Sequence, residues 1–327
     1  MTIRIKVAQA PADLRALFAV RHRVFVEEEG YMPPARGGEI VDVYDTLPTT
    51  ANLCAIVDGE VAGGIRITLD SDAGVPADDF FDFRAHMPGD ARVASCGMMC
   101  LRRENRDNPR LIVSLLRMCM YWGVLNHRTH LCGPVNPKAV GLIQRIGFRP
   151  VGEPFVSDEG LPSVPVVMDL AEMAEDYVTF TERQDVGLWM ENFERVLFEP
   201  GEPLVNAGDL AEDAYLIVEG SADVLTPERA EPVVRLARGH VFGELALLSP
   251  RRRTHNIVAA EPTDAMVLTR DRFQHQMQTN SDIAMGLIRS LGNRFEDGLE
   301  VAPQTAPPVA TALPVETRPV KAQGGQG

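Results

Sequence analysis

What this sequence lacks narrows its possibilities first. No run approaches the roughly 18 consecutive apolar residues that a membrane-spanning helix needs. The opening residues, Met1-Thr2-Ile3-Arg4-Ile5-Lys6, alternate as a strand does and have no apolar centre of the signal-peptide kind. A cytoplasmic protein without a membrane span is therefore expected. Positive charge is in the minority: 32 Lys and Arg against 46 Asp and Glu leave a formal net charge of −14. A surface of that sign repels phosphate unless it is locally reversed, which argues against nonspecific nucleic-acid binding by the whole chain. Cysteines are few and odd in number, the five standing at 54, 96, 100, 119 and 132 in apolar surroundings. Cys96 and Cys100 have no CxxC partner pair, so zinc is not expected and the thiols read as reduced. Internal repeats are absent as well. Against these absences, a hydrophobic content of 45% and a charged content of 24% are those of a soluble globular protein. The 327 residues leave room for two domains of ordinary size.

Residues 1–170 alternate strand-like and helix-like patterns. A strand is expected at 3–7, and Leu14, Leu17, Phe18, Val24 and Phe25 mark the apolar stripe of a helix over 11–25. Segments 53–57 and 61–68, joined at Asp58-Gly59, form the strongest hairpin signal in the chain. A buried strand at 92–101, a helix at 110–125 apolar on nearly every side, a strand at 131–134, a helix at 137–146 and a closing strand near 164–170 complete an α+β domain. The acidic, polar stretch 171–185 suits a linker. Short β segments then follow, separated by glycines at 201, 208, 220, 239 and 243, a spacing that argues for a small β-barrel or jelly roll over 186–300. An amphipathic helix is expected at 282–299, with Ile283, Leu287, Leu291 and Phe295 recurring every fourth residue. Residues 301–327, rich in Pro, Ala, Gly and Gln, are expected to be a disordered tail.

Within the second region, Phe242-Gly243-Glu244-Leu245-Ala246 is followed nine residues after Glu244 by Arg253-Thr254. A tight turn with free backbone N–H groups at a helix start can hold one phosphate charge. A carboxylate can accept from a ribose 2′-hydroxyl, and an arginine can pair bidentately with the phosphate. This arrangement resembles the cassette of the cyclic-nucleotide-binding family, and the likeness extends to Pro200-Gly201-Glu202, Gly208-Asp209 and the run from Tyr215 to Gly220. The resemblance implies cAMP or cGMP as effector, held by Gly243, Glu244, Leu245, Ala246, Arg253 and Thr254. Of the three consecutive arginines at 251–253, a gapless count from Phe242 and from the strand at 257–259 selects Arg253, leaving Arg251 and Arg252 as solvated loop charges. Related regulators place a helix-turn-helix after the barrel. Here the chain runs into a Pro-rich stretch, so DNA is not an expected partner.

In the first region the helix 11–25 carries an anomaly: Arg21 lies on the stripe of Leu14, Leu17, Phe18 and Phe25. A buried, unpaired charge costs several kcal/mol, so a partner is required. Glu39, Asp42 and Asp45 offer carboxylates at three-residue spacing, and Arg66 is a second inward candidate. Paired ions in a cleft can orient an amine and accept its proton; the same residues could equally be a structural ion network. Arg21-His22-Arg23-Val24-Phe25, Glu28, Tyr31, Glu39, Asp42, Asp45 and Arg66 resemble the opening of acyl-homoserine-lactone synthases and N-acyl amino acid synthases, variants of the GNAT acyltransferase fold. Asn136-Pro137-Lys138-Ala139 and Arg145-Ile146-Gly147-Phe148 are similar to the usual GNAT ending. The resemblance implies Arg21, Glu39, Asp42, Asp45 and Arg66 as the acyl-transfer set, with strand amides stabilising an oxyanion.

The sequence departs from the family at several points. The stretch 102–109 contains no glycine where the acetyl-CoA enzymes have a Gly-rich pyrophosphate loop, although Arg102, Arg103, Arg106 and Arg110 could meet phosphates by charge. An acidic acyl carrier protein would suit that surface as well as acyl-CoA. Ile143 replaces the tyrosine that many GNAT enzymes use as general acid, and Ala94-Ser95-Cys96-Gly97 replaces the Glu and Arg of the lactone synthases. Cys96 and Cys100 are weighed as covalent acyl carriers but read as core filler. Met98, Met99, Met118 and Met120, weighed as the lining of an acyl tunnel, read as core packing. The combined expectation is a cyclic-nucleotide-regulated N-acyltransferase acting on an unidentified amine. The alternative is a non-catalytic nucleotide-binding signalling protein with a degenerate GNAT domain.

Overall fold

The computed structural model describes residues 2–157, 160–171, 173, 194–226, 231–243, 247 and 252–279. Glu244, Leu245 and Ala246 of the cassette, Arg251, nearly all of 171–185, the helix expected at 282–299 and the tail expected from 301 lie outside these residues. The architecture is mixed α/β, built on one large sheet.

In the N-terminal part, β1 (Ile3–Val7) leads into α1 (Pro11–His22), which starts with proline and carries Asp13 in its first turn. Both suit a helix N-terminus. The helix buries Leu17, Phe18, Val20 and Arg21, then widens into a π-helical turn over Arg23–Glu28. Strands β2 (Thr50–Val57) and β3 (Glu60–Leu69) form the expected hairpin. Its turn residues, Asp58 at φ 49° and Gly59 at φ 88°, have the positive φ angles that a two-residue loop demands. Strand β4 (Val93–Leu101) precedes α2 (Pro109–Leu125), which is capped by the Asn108 side chain accepting from Leu111 N at 3.2 Å. Strand β5 (His130–Val135) runs parallel to β4. The helix expected at 137–146 is divided into a 3-10 turn, Pro137–Ala139, and α3 (Val140–Gln144). Short β6 (Arg149–Pro150) and β7 (Phe155–Val156), which carry too few residues to show a period, flank the closing strand β8 (Pro162–Asp169).

The later strands are β9 (Glu194–Phe198), β10 (Pro203–Val205), β11 (Asp213–Glu219), β12 (Ser221–Leu225), β13 (Val234–Ala237), β14 (Val241–Phe242), β15 (Asn256–Ala259) and β16 (Thr263–Thr269), followed by α4 (Arg270–Thr279). They divide between two sheets that enclose one apolar core, with Phe198, Leu204, Ile217, Leu236, Ile257 and Val267 among its members. The sheet β10-β15-β12-β13 stands alone. The other four join the N-terminal strands in one ladder ordered β14-β11-β16-β9-β1-β2-β3-β4-β5-β8-β6.

The junction is the antiparallel pair β1–β9, with Ile3 opposite Leu197 and Ile5 opposite Arg195. Leu197 is 2% exposed and belongs to the N-terminal core, together with Ile3, Ile5, Leu115 and Met118. Helix α2 crosses the same junction. Arg110 donates to the carbonyls of Phe198 and Thr263, at 2.9 and 2.8 Å, and pairs with Glu199 at 2.8 Å. Arg195, 1% exposed, pairs with Asp264 at 3.0 Å and lies 4.5 Å over the Tyr121 ring.

Candidate functional site

Arg21 is fully buried and needs its partners in place. Its Nη1 donates to both oxygens of Asp45, at 2.9 and 3.0 Å, and its Nη2 donates to Asn52 Oδ1. Arg66, 4% exposed, donates from Nη1 to Asp42 Oδ1 at 2.6 Å and to Asp45 Oδ2 at 3.2 Å. Asp45 thus lies between two guanidiniums and also accepts from Asn52 Nδ2 at 3.1 Å. Burial alone would raise its carboxyl pKa; attraction and hydrogen bonding from Arg21, with Arg66 behind, outweigh that and hold it below the ordinary carboxylate value. Asp42 caps the turn Val43–Thr46 by accepting from Tyr44 N and Asp45 N through the same Oδ1 that Arg66 uses. Its other oxygen takes none of these bonds, and the side chain is 39% exposed. Arg21, Asp42, Asp45 and Arg66 are therefore brought together, whereas Glu39 is not part of the cluster. Asp45 and Asn52 occupy both Nη atoms of Arg21, while its buried Nε has no hydrogen-bond partner.

Asn52, 5% exposed, is absent from the sequence reading. The hairpin hides it. An unbroken ladder from the Val57↔Glu60 pair would set Asn52 opposite Ile65, but a bulge near Ala55/Ile56 moves it opposite Arg66. Arg66 in turn lies opposite Gly97 of β4, so Asn52, Arg66 and Gly97 form one row across three strands. Beside that row β4 is irregular: Met98 has φ 52°, and the pairing with β3 slips between Gly64 and Arg66. The parallel ladder with β5 extends only from Val93↔His130 to Ser95↔Cys132. Beyond Ser95, β4 main-chain groups are released from that ladder, next to the charged cluster.

The thiols nearby are poorly suited to nucleophilic work. All five cysteines are buried and free. Burial pushes Cys100 up to about 11 and raises Cys132 and Cys119 as well, the last also by its bond to Cys96. Met118 and Met120 are packed in the core at 0% and 1% exposure.

The arginines of the stretch 102–110 are largely engaged. Arg102 pairs with Glu60 at 2.7 Å. Arg106 pairs with Glu28 and Glu29, each at 2.5 Å, and donates to Leu101 O. Arg110 is turned to β9 and β16, as above, and Arg103 is exposed. The open basic mouth expected from these positions is thus already neutralised by carboxylates at Arg102 and Arg106.

In the second region, Gly243 has φ 84°, and a Cβ there would stand 2.5 Å from Arg253 Nη1. The left-handed backbone favours glycine, and a Cβ would displace the end of the Arg253 side chain. Arg253 Nη2 also donates to the carbonyl of Asp213, at the start of β11. Phe242 stacks on Tyr215 with centroids 5.3 Å apart. Arg252 is turned away, donating to Gly208 O at 2.6 Å. The described part of the cassette therefore brings Gly243 and Arg253 together and separates Arg252 from them.

Two families match these two regions. Residues 16–169 match the family model described as N-acyl amino acid synthase FeeM, and residues 195–280 match that of the cyclic nucleotide-binding domain. The chain thus carries a region similar to the FeeM family followed by one similar to the cyclic nucleotide-binding domain. Among particular proteins, the Cyclic AMP receptor protein of Thermus thermophilus is 26% identical over 117 residues, 35% of this chain and 54% of that protein. The chain spans about half the length of this curated relative. The solved structure of FeeM, an N-acyl amino acid synthase from uncultured soil microbes, is similar at 18% identity with a TM-score of 0.46, over 52% of this chain and 91% of that one. The Thermus thermophilus catabolite activator protein is similar at 26% identity with a TM-score of 0.30, over 32% of this chain and 50% of that one. Among the described residues no helix is long and apolar enough to cross a membrane.

Proposed function

We propose that this chain is a cyclic-nucleotide-responsive N-acyltransferase, with a GNAT-type acyl-transfer domain over 1–170 and a jelly-roll nucleotide domain over 186–300. The observation that carries the reading is the row Asn52-Arg66-Gly97, which sets a buried ion cluster beside released β4 main-chain groups. The reaction is attack of an amine nitrogen on a thioester carbonyl carried by acyl-CoA or an acyl carrier protein. A C–N bond forms and the C–S bond breaks; the nitrogen loses a proton and the thiolate gains one. Asp42, half-exposed and restrained by Arg66, is suited to hold an incoming ammonium through its second oxygen and to take the first proton, which frees the attacking lone pair. Asp45 and Arg21 act behind it as positioning residues, since both are fully enclosed. Backbone N–H groups of β4 past Ser95 are suited to stabilise the oxyanion. In the nucleotide domain we assign nucleotide binding to Gly243, Glu244, Leu245, Ala246, Arg253 and Thr254, with Glu244 for the ribose and Arg253 with Thr254 for the phosphate.

Acyl transfer is tested by incubating the full chain with acyl-CoA or acyl-carrier thioesters and a panel of amino acids, and following N-acyl product by mass spectrometry. Product that falls strongly in Asp42→Ala supports the reading. No product with any donor, from a protein that still binds nucleotide, favours the non-catalytic alternative.

A further inference from the structure

Strand β11 has its two ends at different places of interest. At its start, the Asp213 carbonyl accepts from Arg253 Nη2. At its middle, Tyr215 lies opposite Phe242 and Ile217 N donates to His240 O at 3.0 Å. At its end, Glu219 pairs with Arg117 of α2. The N-terminus of α2 is preceded by the arginines at 102–106, and Arg106 reaches Glu28 and Glu29, directly after the helix that carries Arg21. One strand and one helix therefore lead from Arg253 to the loop before α2, whose Arg106 pairs just beyond the helix that carries Arg21.

The contacts along this line differ in firmness. The Arg195–Asp264 pair, with Arg195 over the Tyr121 ring, is buried. Arg117 and Glu219 are 35% and 44% exposed, and Arg110 and Glu199 are 23% and 46% exposed. Between α2 and the sheet lies a cleft of about 320 Å³ lined by Arg110, Ser114, Arg117, Leu197, Glu219 and Asp264. Polar links across a cleft can exchange partners, whereas interlocked apolar side chains cannot do so without a packing cost. A phosphate reaching Arg253 would draw on the guanidinium that now holds the Asp213 carbonyl, so an exchange there would act on the start of β11.

We propose that β11 and the Arg117–Glu219 pair carry nucleotide occupancy at Arg253 to the loop before α2, and so set the conformation of the acyl-donor side. This rests on the nucleotide-binding reading above. The coupling element is one strand inside the sheet.

The test is hydrogen-exchange mass spectrometry on the full chain, with saturating cAMP and, separately, cGMP, binding of each being measured by calorimetry. In wild type, amides at 102–113 should change exchange rate by about fivefold or more on binding. Glu219→Gln should bind the same nucleotide and lose that change, and the charge-swapped Arg117→Glu/Glu219→Arg chain should recover it. Unchanged exchange at 102–113 in nucleotide-bound wild type overturns the proposal, as does a Glu219→Gln chain that responds like wild type. Failure of both nucleotides to bind refutes the nucleotide reading itself, and this route with it.

Discussion

Asp45 is 1% exposed and bears two guanidiniums, so the two aspartates beside Arg66 should respond very differently to substitution. Asp45→Ala strands Arg21 and Arg66 without their shared anion, and breaking a buried pair in this way costs about 3–5 kcal/mol. Asp42→Asn removes a charge that is 39% exposed and should cost under about 1 kcal/mol in urea unfolding, while acyl transfer falls. The same carboxylate makes stability depend on acid. The Asp45 pKa is lower folded than unfolded, so folding favours its ionised form. Its contribution is complete above an unfolded value near ~4 and is lost as pH falls through the lower folded value. Asp45→Asn should therefore flatten the acid limb of the stability profile below about pH 4; an unchanged limb would show that other carboxylates dominate it. Much of this cluster is legible in sequence, because an arginine on an apolar helical stripe demands an anion and 39–45 offers three. Which anion answers is not legible, since that depends on how the turn at Val43–Thr46 aims Asp45.

At the scale of elements, the hairpin β2–β3, the core helix α2 and the strand β5 all follow from local pattern: an Asp-Gly turn, a long apolar run, and a short apolar segment. The bulge in β2–β3 does not follow, because an extra residue leaves the alternation readable on either side and shifts only what stands opposite it. That shift is what brings Asn52 to Arg66. Close approach of strands is equally silent in sequence. A Cβ at Gly133 would stand 2.2 Å from Cys96 O, where β5 passes β4 at the end of their ladder. Gly133→Ala must push backbone apart there, at a cost of about 1–3 kcal/mol or more, and should depress acyl transfer beyond what the lost stability explains. A variant that melts and reacts like wild type would show that this crossing has slack. In the nucleotide region, Gly243→Ala meets both a φ of 84° and the Arg253 guanidinium, so it should abolish nucleotide-induced stabilisation; about 2.7 kcal/mol is the wild-type gain at a hundredfold the Kd.

The whole molecule departs most from what its sequence suggests. Two domains joined by a polar stretch lead one to expect independent units, yet β1 pairs with β9 and Leu197 packs into the N-terminal core. No local pattern announces this pairing: β1 alternates, β9 is a short strand buried along its whole length, and their partners are chosen by assembly. The described parts should unfold as one cooperative unit, with calorimetric and van't Hoff enthalpies in agreement. Two separated transitions would mean that the shared sheet contributes little to stability. A fragment ending near residue 172 would expose the edge of β1 and be prone to associate, so regulation is better tested in the complete chain. The most direct measurement is the acyl-transfer rate of the complete chain with and without saturating cAMP or cGMP, in wild type and in Arg253→Ala. The account predicts that nucleotide changes the wild-type rate, a tenfold effect corresponding to about 1.4 kcal/mol of coupling, and leaves the Arg253→Ala rate where it was. Equal wild-type rates in all conditions, with nucleotide shown to be bound, would contradict it.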